Sequence, residues 1–303
     1  MNLVSIIIPS YRSTDTLKRA IDSCLIQTYK NIEVIVVDDN NSNSKYRLAT
    51  EKIMSKYIDD ERVVYIKHKR NMNGSAARNT GFNRSTGDFI CLLDDDDYFY
   101  PNKIEKQISL LLRVKGYSAV GCYWDRRGKT ILLANKNDFT KELLTCKNTP
   151  NTCTLMIRRV AFKTLNGFDA AYTRHQDYEF LLRFFMLYKI GIVPLPLLAL
   201  GTNGIDNRPN ASDLEKVKGQ FLDDFKCIYS NDKKFRKEVI AANYVEVLLG
   251  YIKTSDMRNI SRVLTLLLCN SPVNFCKYLS MSLYEYVKVH RQGNFKMVGG
   301  SNE

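Results

Sequence analysis

Apolar positions in the first hundred residues fall into two alternating patterns. Val4 to Pro9 (VSIIIP) is a nearly continuous apolar run, as expected of a parallel strand covered on both faces. Ser13 or Thr14 is placed to cap the helix that follows. There Leu17, Ala20, Ile21, Cys24 and Leu25 recur at helical spacing as one apolar stripe. Ile32 to Val37 repeats the buried-strand pattern and runs into Asp38-Asp39-Asn40. A helix is predicted over Lys45 to Tyr57, with Tyr46, Ala49, Ile53 and Tyr57 on one face. Strand Val63 to Ile66, helix Gly74 to Arg84 and strand Phe89 to Leu93 complete the series. This β-α alternation predicts an α/β chain with a doubly wound sheet and right-handed crossovers.

Beyond it the periodicity predicts a helix over Lys103 to Leu112 after Pro101, a strand over Thr152 to Ile157 and a helix over Asp177 to Leu187. From about residue 212 the pattern is helical, over 213–229, 232–252, 256–269 and 273–290. The polar, turn-rich stretch Gly201 to Asp213 marks a boundary. The organisation expected is therefore 1–110, 111–212 and a helical region 213–303.

In doubly wound sheets ligands bind beyond the carboxyl ends of the strands. Tyr11, Asp38-Asp39 and the four aspartates Asp94 to Asp97 all stand there, so three polar clusters share one crevice. Four adjacent carboxylates repel one another unless a cation lies among them. Mg²⁺ or Mn²⁺, held by one or two carboxylates together with substrate phosphate, is the natural partner. A lone acidic run would instead be a solvated turn, and Asp38-Asp39 a local Asx turn.

Composition adds less. The chain has 303 residues, 45% hydrophobic and 25% charged, as in an ordinary globular protein. Its N-terminus has no basic region ahead of the apolar run, unlike a signal peptide. The longest clean apolar stretch, Ile192 to Leu200, is interrupted by two prolines and falls far short of the ~20 residues of a membrane span. A soluble or peripheral cytoplasmic protein is expected. Eight cysteines without a C-x-x-C pair read as buried free thiols, and three scattered histidines predict no metal site. The net charge of +13 is uneven: residues 111–212 hold 15 basic and 7 acidic residues, against 16 and 15 in residues 1–110. A basic middle segment calls for an anionic partner.

The ordered segments VSIIIPSY, Gln27-Thr28-Tyr29, EVIVVDDN, NGSAARNTGF and GDFICLLDDDD resemble the nucleotide-sugar-binding half of a family 2 glycosyltransferase of GT-A fold. GFD at 167–169 with HQDYEFLLRF at 175–184 resembles the acceptor half, and 213–303 would be a C-terminal helical subdomain. The resemblance implies that Pro9, Tyr11 and Asp39, with Asp38 beside it, hold the uracil and ribose of a UDP-sugar. It places Arg78 near the diphosphate, Asp95 towards the ribose, Asp96 on a Mn²⁺ or Mg²⁺ ion, and Asp94 in support at the metal. Asp97 would be a local helix cap before Pro101. Where the family has Glu-Asp this chain has Gln176-Asp177, so Asp177 alone matches the catalytic base. One base without an opposing nucleophile implies single displacement and inversion. Arg174 and His175 would touch phosphate of acceptor or donor, and Asp177 could also cap its own helix. The acceptor implied is a saccharide, with polyprenyl diphosphate as the anionic carrier that suits the basic segment, as in bacterial surface-polysaccharide synthesis.

Other readings fit less well. A dinucleotide-dependent dehydrogenase needs a glycine-rich first turn, and this one reads PSYRST; no P-loop is present. A sugar nucleotidyltransferase would also want a glycine-rich, basic first turn. A basic nucleic-acid or membrane-binding protein leaves the acidic strand ends unexplained, so no nucleic acid is expected. The aromatic and basic stripes of the last helices (Phe275, Tyr278, Leu279, Tyr284, Tyr286 and Lys288) fit packing on the catalytic core or a peripheral membrane surface.

Overall fold

A computed structural model describes residues 2–13, 15–172, 174–201 and 209–294, the last ten of these as backbone. Thr14 and most of the turn-rich boundary stretch lie outside the described residues. Two compact units emerge, Met1–Leu143 with Asn148–Asp206, and Leu144–Lys147 with Asn207–Glu303.

The first unit runs β1 (Val4–Ser10), α1 (Thr16–Leu25), β2 (Ile32–Asp38), α2 (Lys45–Met54), β3 (Val63–Lys67), α3 (Gly74–Arg84), β4 (Phe89–Leu92), β5 (Tyr98–Phe99), α4 (Lys103–Arg113), β6 (Ala119–Arg126), β7 (Lys129–Ile131), α5 (Thr140–Leu144), β8 (Met156–Arg158), α6 (Arg159–Thr164), α7 (Gln176–Leu187) and β9 (Ile190–Leu200). One sheet holds them in the order β3-β2-β1-β4-β8-β6-β9-β5, with β7 paired to β6. β1 to β4 are parallel, as the apolar runs predict, whereas β8 is antiparallel to both β4 and β6. Residues 1–110 and 111–212 thus share one sheet. The strand expected over 152–157 begins later, because Thr152–Thr154 forms a turn of 3₁₀ helix.

β1 and β2 are buried almost throughout, as the absence of polar alternation requires. α3 packs so closely on β1 that a Cβ on Gly81 would lie 2.3 Å from Ile7 Cγ2. α1 buries Leu17, Ala20, Ile21 and Cys24 as expected, but its cap differs. Asp15 precedes it with no side-chain cap bond, and Ser13 bonds the Thr16 hydroxyl instead.

α2 turns one position away from the expected face. Arg47, Thr50 and Met54 are buried, while Tyr46, Ala49 and Ile53 are only partly covered. The reason is an ion pair. Arg47 Nε lies 3.0 Å from Asp38 Oδ2, and its Nη2 donates to the carbonyls of Asp38, Asn40 and His68.

The second unit contains α8 (Ala211–Asp224), α9 (Lys226–Tyr229), α10 (Lys233–Lys253), α11 (Met257–Asn270) and α12 (Pro272–Asn294), matching the helical pattern read from sequence. It has its own core, in which Val245, Val247, Leu248, Val263 and Leu267 meet Tyr278, with Phe275 and Leu279 packed alongside. Tyr284 is exposed, and the side chains of Tyr286 and Lys288 lie outside the described residues. Lys218 is fully buried there, 2.8 Å from Glu246. Among the described residues no helix is long and apolar enough to cross a membrane.

All eight cysteines are free thiols. Cys24, Cys91, Cys122 and Cys153 are buried, but Cys227, Cys269 and Cys276 are exposed, against the expectation of buried thiols throughout. These three stand on the exposed faces of α9, α11 and α12.

Breaking a buried ion pair from one side leaves an uncompensated charge. Arg47→Ala should therefore destabilise the protein by about 3–5 kcal/mol, far more than a surface arginine. Urea unfolding checks this, and a loss below about 1 kcal/mol would show that the Asp38 charge needs no partner.

Candidate active site

The turns after β1, β2 and β4 bond directly to one another. Asp39 N–H donates to the Ser10 carbonyl at 2.8 Å, Arg12 N–H to Asn40 Oδ1 at 2.9 Å, and Tyr11 N–H to Asp95 Oδ2 at 3.2 Å. Pro9, Tyr11, Asp39 and the aspartate cluster are therefore gathered at the carboxyl edge of the sheet. Tyr11 is 40% exposed, with the Arg12 guanidinium 4.9 Å from its ring centre.

Asp38 and Asp39 face different partners. Asp38 is fully buried and accepts from Tyr65 Oη at 2.6 Å and from Asn40, in addition to its pair with Arg47. Those donors fill its carboxylate, so Asp38 shapes the turn from within. Asp39 accepts from Met72 N–H and Asn71 Nδ2, and its Oδ1 lies 2.7 Å from His68 Nδ1. A carboxylate has about four lone-pair sites, which leaves Asp39 capacity for one further donor.

Arg78 is the hinge of the site. It projects from α3 and is 7% exposed. Its Nη2 donates to Asp94 Oδ1 at 2.7 Å and its Nη1 to Gln176 Oε1 at 3.1 Å, over the face of Phe168. Burial works against this charge, but Asp94 and Asp177 outweigh it and hold the guanidinium firmly protonated. The same helix pins the GFD segment: Asn79 Nδ2 donates to the Phe168 carbonyl at 2.7 Å, and Asn73 Nδ2 to that of Ala170 at 3.0 Å.

Gln176 is the first residue of α7 and Asp177 the second. The cap position belongs to His175, in left-handed backbone (φ 57°) and stacked on Tyr178 at 5.1 Å, with no side-chain cap bond. Asp177 thus does not cap its helix; it lies in the first turn, where the helix dipole favours negative charge. Burial pushes its carboxyl above the ordinary range, opposed by Arg78 and reinforced by Asp94. Arg174 lies partly exposed just ahead of it.

The aspartate cluster is under electrostatic strain. Burial, then Asp94 and Asp96, push Asp95 up to about 7. Burial and Asp94 push Asp97 up to about 8, and Asp96 is also raised. Asp97 caps no helix, because α4 starts from Asn102; its Oδ1 accepts Gly201 N–H at 2.8 Å. Only glycine fits at 201, since a Cβ there would lie 2.3 Å from the Asp96 carbonyl oxygen. Among the described residues, ligand atoms of Asp94, Asp97 and Cys153 lie within 4.8 Å of one another. Burial and Asp94 raise the Cys153 thiol well above its usual range, so it stays protonated and suits a hard cation poorly. Mutually repelling carboxylate oxygens do suit one. Neither Cys153 nor Gly201 was legible beforehand, because no sequence pattern places them at this edge.

A family model described as glycosyl transferase family 2 matches residues 5–170. The amylovoran biosynthesis glycosyltransferase AmsB of Erwinia amylovora is 29% identical over 206 residues, 64% of this chain and 67% of its own length. An uncharacterized glycosyltransferase of Rickettsia prowazekii, RP339, is 33% identical over 203 residues, 62% of this chain and 60% of that protein. The fold is similar to that of S. aureus TarS 1–349 in complex with UDP-GlcNAc, with a TM-score of 0.61 at 15% identity, covering 87% of this chain and 90% of that one.

A raised carboxyl pKa means that the folded chain keeps protons the unfolded chain has released. The resulting stabilisation is complete below about pH 4 and is lost as pH rises through about 7 for Asp95 and about 8 for Asp97. In EDTA, Tm should fall across that window. Mn²⁺ should restore it, with a larger shift near the top of the window than at its acid end, because a cation within the cluster and protons on its crowded carboxylates relieve the same repulsion and displace one another. A Mn²⁺ shift of the same size at both ends would mean that these carboxylates hold no cation.

Proposed function

The chain belongs to glycosyl transferase family 2, and we propose that it moves a sugar from a UDP-sugar to a hydroxyl of a saccharide acceptor, with inversion at the anomeric carbon. The observation that carries this reading is the Arg78 clamp. One buried guanidinium binds Asp94 of the carboxylate cluster and Gln176 beside Asp177, so a charge-rich strand end faces a carboxylate of raised pKa. A solved neighbour in complex with UDP-GlcNAc supports a UDP-sugar as donor class.

In this reading residues 1–110 hold the donor and 111–212 the acceptor. Tyr11 and the Pro9 backbone flank the uracil, Asp39 spends its remaining capacity on a donor group of the nucleotide, and Asp95 faces the ribose. Asp94 and Asp96 hold a divalent cation, Mn²⁺ or Mg²⁺. Asp96 is preferred to Asp97 because it is partly exposed, whereas Asp97 is 4% exposed and bonded to Gly201. The cation supplies charge neutralisation at the departing UDP. Asp177 takes the proton of the acceptor hydroxyl. A carboxylate raised towards neutrality is a better base than an ordinary one. Gln176 keeps the acceptor oxygen that Arg78 needs, but adds no second charge.

The acceptor class proposed is a saccharide carried on a lipid diphosphate, in surface-polysaccharide synthesis at the cytoplasmic membrane face. Two observations support it: the relative named for amylovoran biosynthesis, and the basic excess of residues 111–212. Arg174 and His175, next to the base, are the residues assigned to that phosphate.

Asp177→Asn should lower transfer by about 10²–10⁴-fold while leaving UDP affinity unchanged. Asp96→Asn should remove Mn²⁺-dependent UDP binding, and Asp97→Asn should act mainly on stability. Radiolabel transfer and calorimetry with UDP separate these outcomes. Loss of UDP affinity in Asp177→Asn would move that residue to the donor side and end its assignment as base.

A further inference from the structure

A cavity of about 500 Å³ opens at the ends of β5, β6, β7 and β9. Of the residues assigned above to nucleotide, cation or base, Asp96 is the one that lines it. Its charge is basic. Arg19, Arg126 and Arg127 line it against Asp96 and Asp125. Both oxygens of Asp125 are taken, by Tyr100 Oη and Thr130 Oγ1 at 2.6 Å each. Arg19 donates to the Asp96 carbonyl at 2.6 Å and stacks 4.6 Å over Tyr98. Arg126 and Arg127 are exposed, and among the described residues their side chains make no hydrogen bond, though the charge of Arg126 counters part of the rise that burial gives the Asp96 carboxyl.

Arg127 is held there at a conformational cost. It and Gly128 form the two-residue turn between β6 and β7, with φ of 52° and 72°. Asn or Gly ordinarily takes the first of these positions, because left-handed backbone brings Cβ close to a carbonyl oxygen, which glycine avoids and asparagine offsets by local hydrogen bonding. A non-glycine residue kept in that conformation at the mouth of a cavity is the kind of strain found at ligand sites. Tyr98 and Tyr100, edge to face at 5.9 Å, supply an aromatic wall suited to an amphipathic ring.

We propose that this cavity is an anion-recognising acceptor subsite, which receives a saccharide bearing a carboxylate or phosphate group through Arg126 and Arg127. The assignment as acceptor rests on the glycosyl-transfer reading above. The anion would form charge-assisted bonds to guanidinium groups whose N–H donors make no hydrogen bond among the described residues, and the sugar ring would lie against Tyr98 and Tyr100.

Binding is read by calorimetry, because Trp124, the sole tryptophan, does not line the cavity. The full chain is titrated with methyl glucuronide, glucose 1-phosphate and neutral methyl glucoside. The two charged probes separate carboxylate from phosphate recognition. At least one should bind well ahead of the glucoside, and Arg126→Gln and Arg127→Gln should each weaken it about tenfold or more. UDP affinity of both variants should stay at the wild-type level. Equal binding of the neutral glucoside, or unchanged binding in both variants, would overturn the proposal. A tenfold loss of UDP affinity in either variant would overturn it too, by moving the arginines to the donor diphosphate. Failure of the wild-type protein to bind UDP at all would sink the glycosyl-transfer reading on its own, while charged-probe binding that survives it upholds the anion site.

Discussion

A single buried cation holds the site together. An arginine nine-tenths out of water costs several kcal/mol unless anionic partners surround it. Arg78 meets that requirement with Asp94 at the end of β4, Asp177 at the start of α7 and the amide oxygen of Gln176. α3, the end of β4 and the distant start of α7 are thereby fixed against one another. Asn73, which caps α3, and Asn79 within it extend the same fastening to the segment ahead of α7. The parallel sheet supplies the platform, but this charge sets the spacing between the carboxylates on it.

That arrangement divides the acids by environment. Asp38 is spent inside the turn, Asp39 keeps limited capacity, and Asp95 to Asp97 are crowded until a cation or protons relieve them. Asp177 stands apart at a helix N-terminus, raised by burial yet restrained by Arg78. In the function proposed above, Gln176 leaves Asp177 as the one carboxylate of that pair, the arrangement a direct displacement would use.

Much of this was legible because strands covered on both faces announce themselves as apolar runs, and the acidic clusters follow those runs directly. What escaped the sequence was the set of polar groups that are buried as pairs. The apolar stripe of α2 misses Arg47, whose covered position depends on Asp38 nine residues earlier. Asp97 looks like a cap beside Pro101, but its partner is Gly201, which lies a hundred residues away and is visible only once β9 is placed. Asp177 looks like a cap for the same local reason, whereas His175 in left-handed backbone starts that helix. The paired arginines of the β6–β7 turn read as ordinary surface charge until the cavity beneath them is seen.

The anomeric configuration of the transferred sugar tests the central claim most directly. An α-linked UDP-sugar donor, followed by proton NMR of the isolated product, should give a β linkage, as a single displacement assisted by Asp177 requires. A product retaining the α configuration would contradict it.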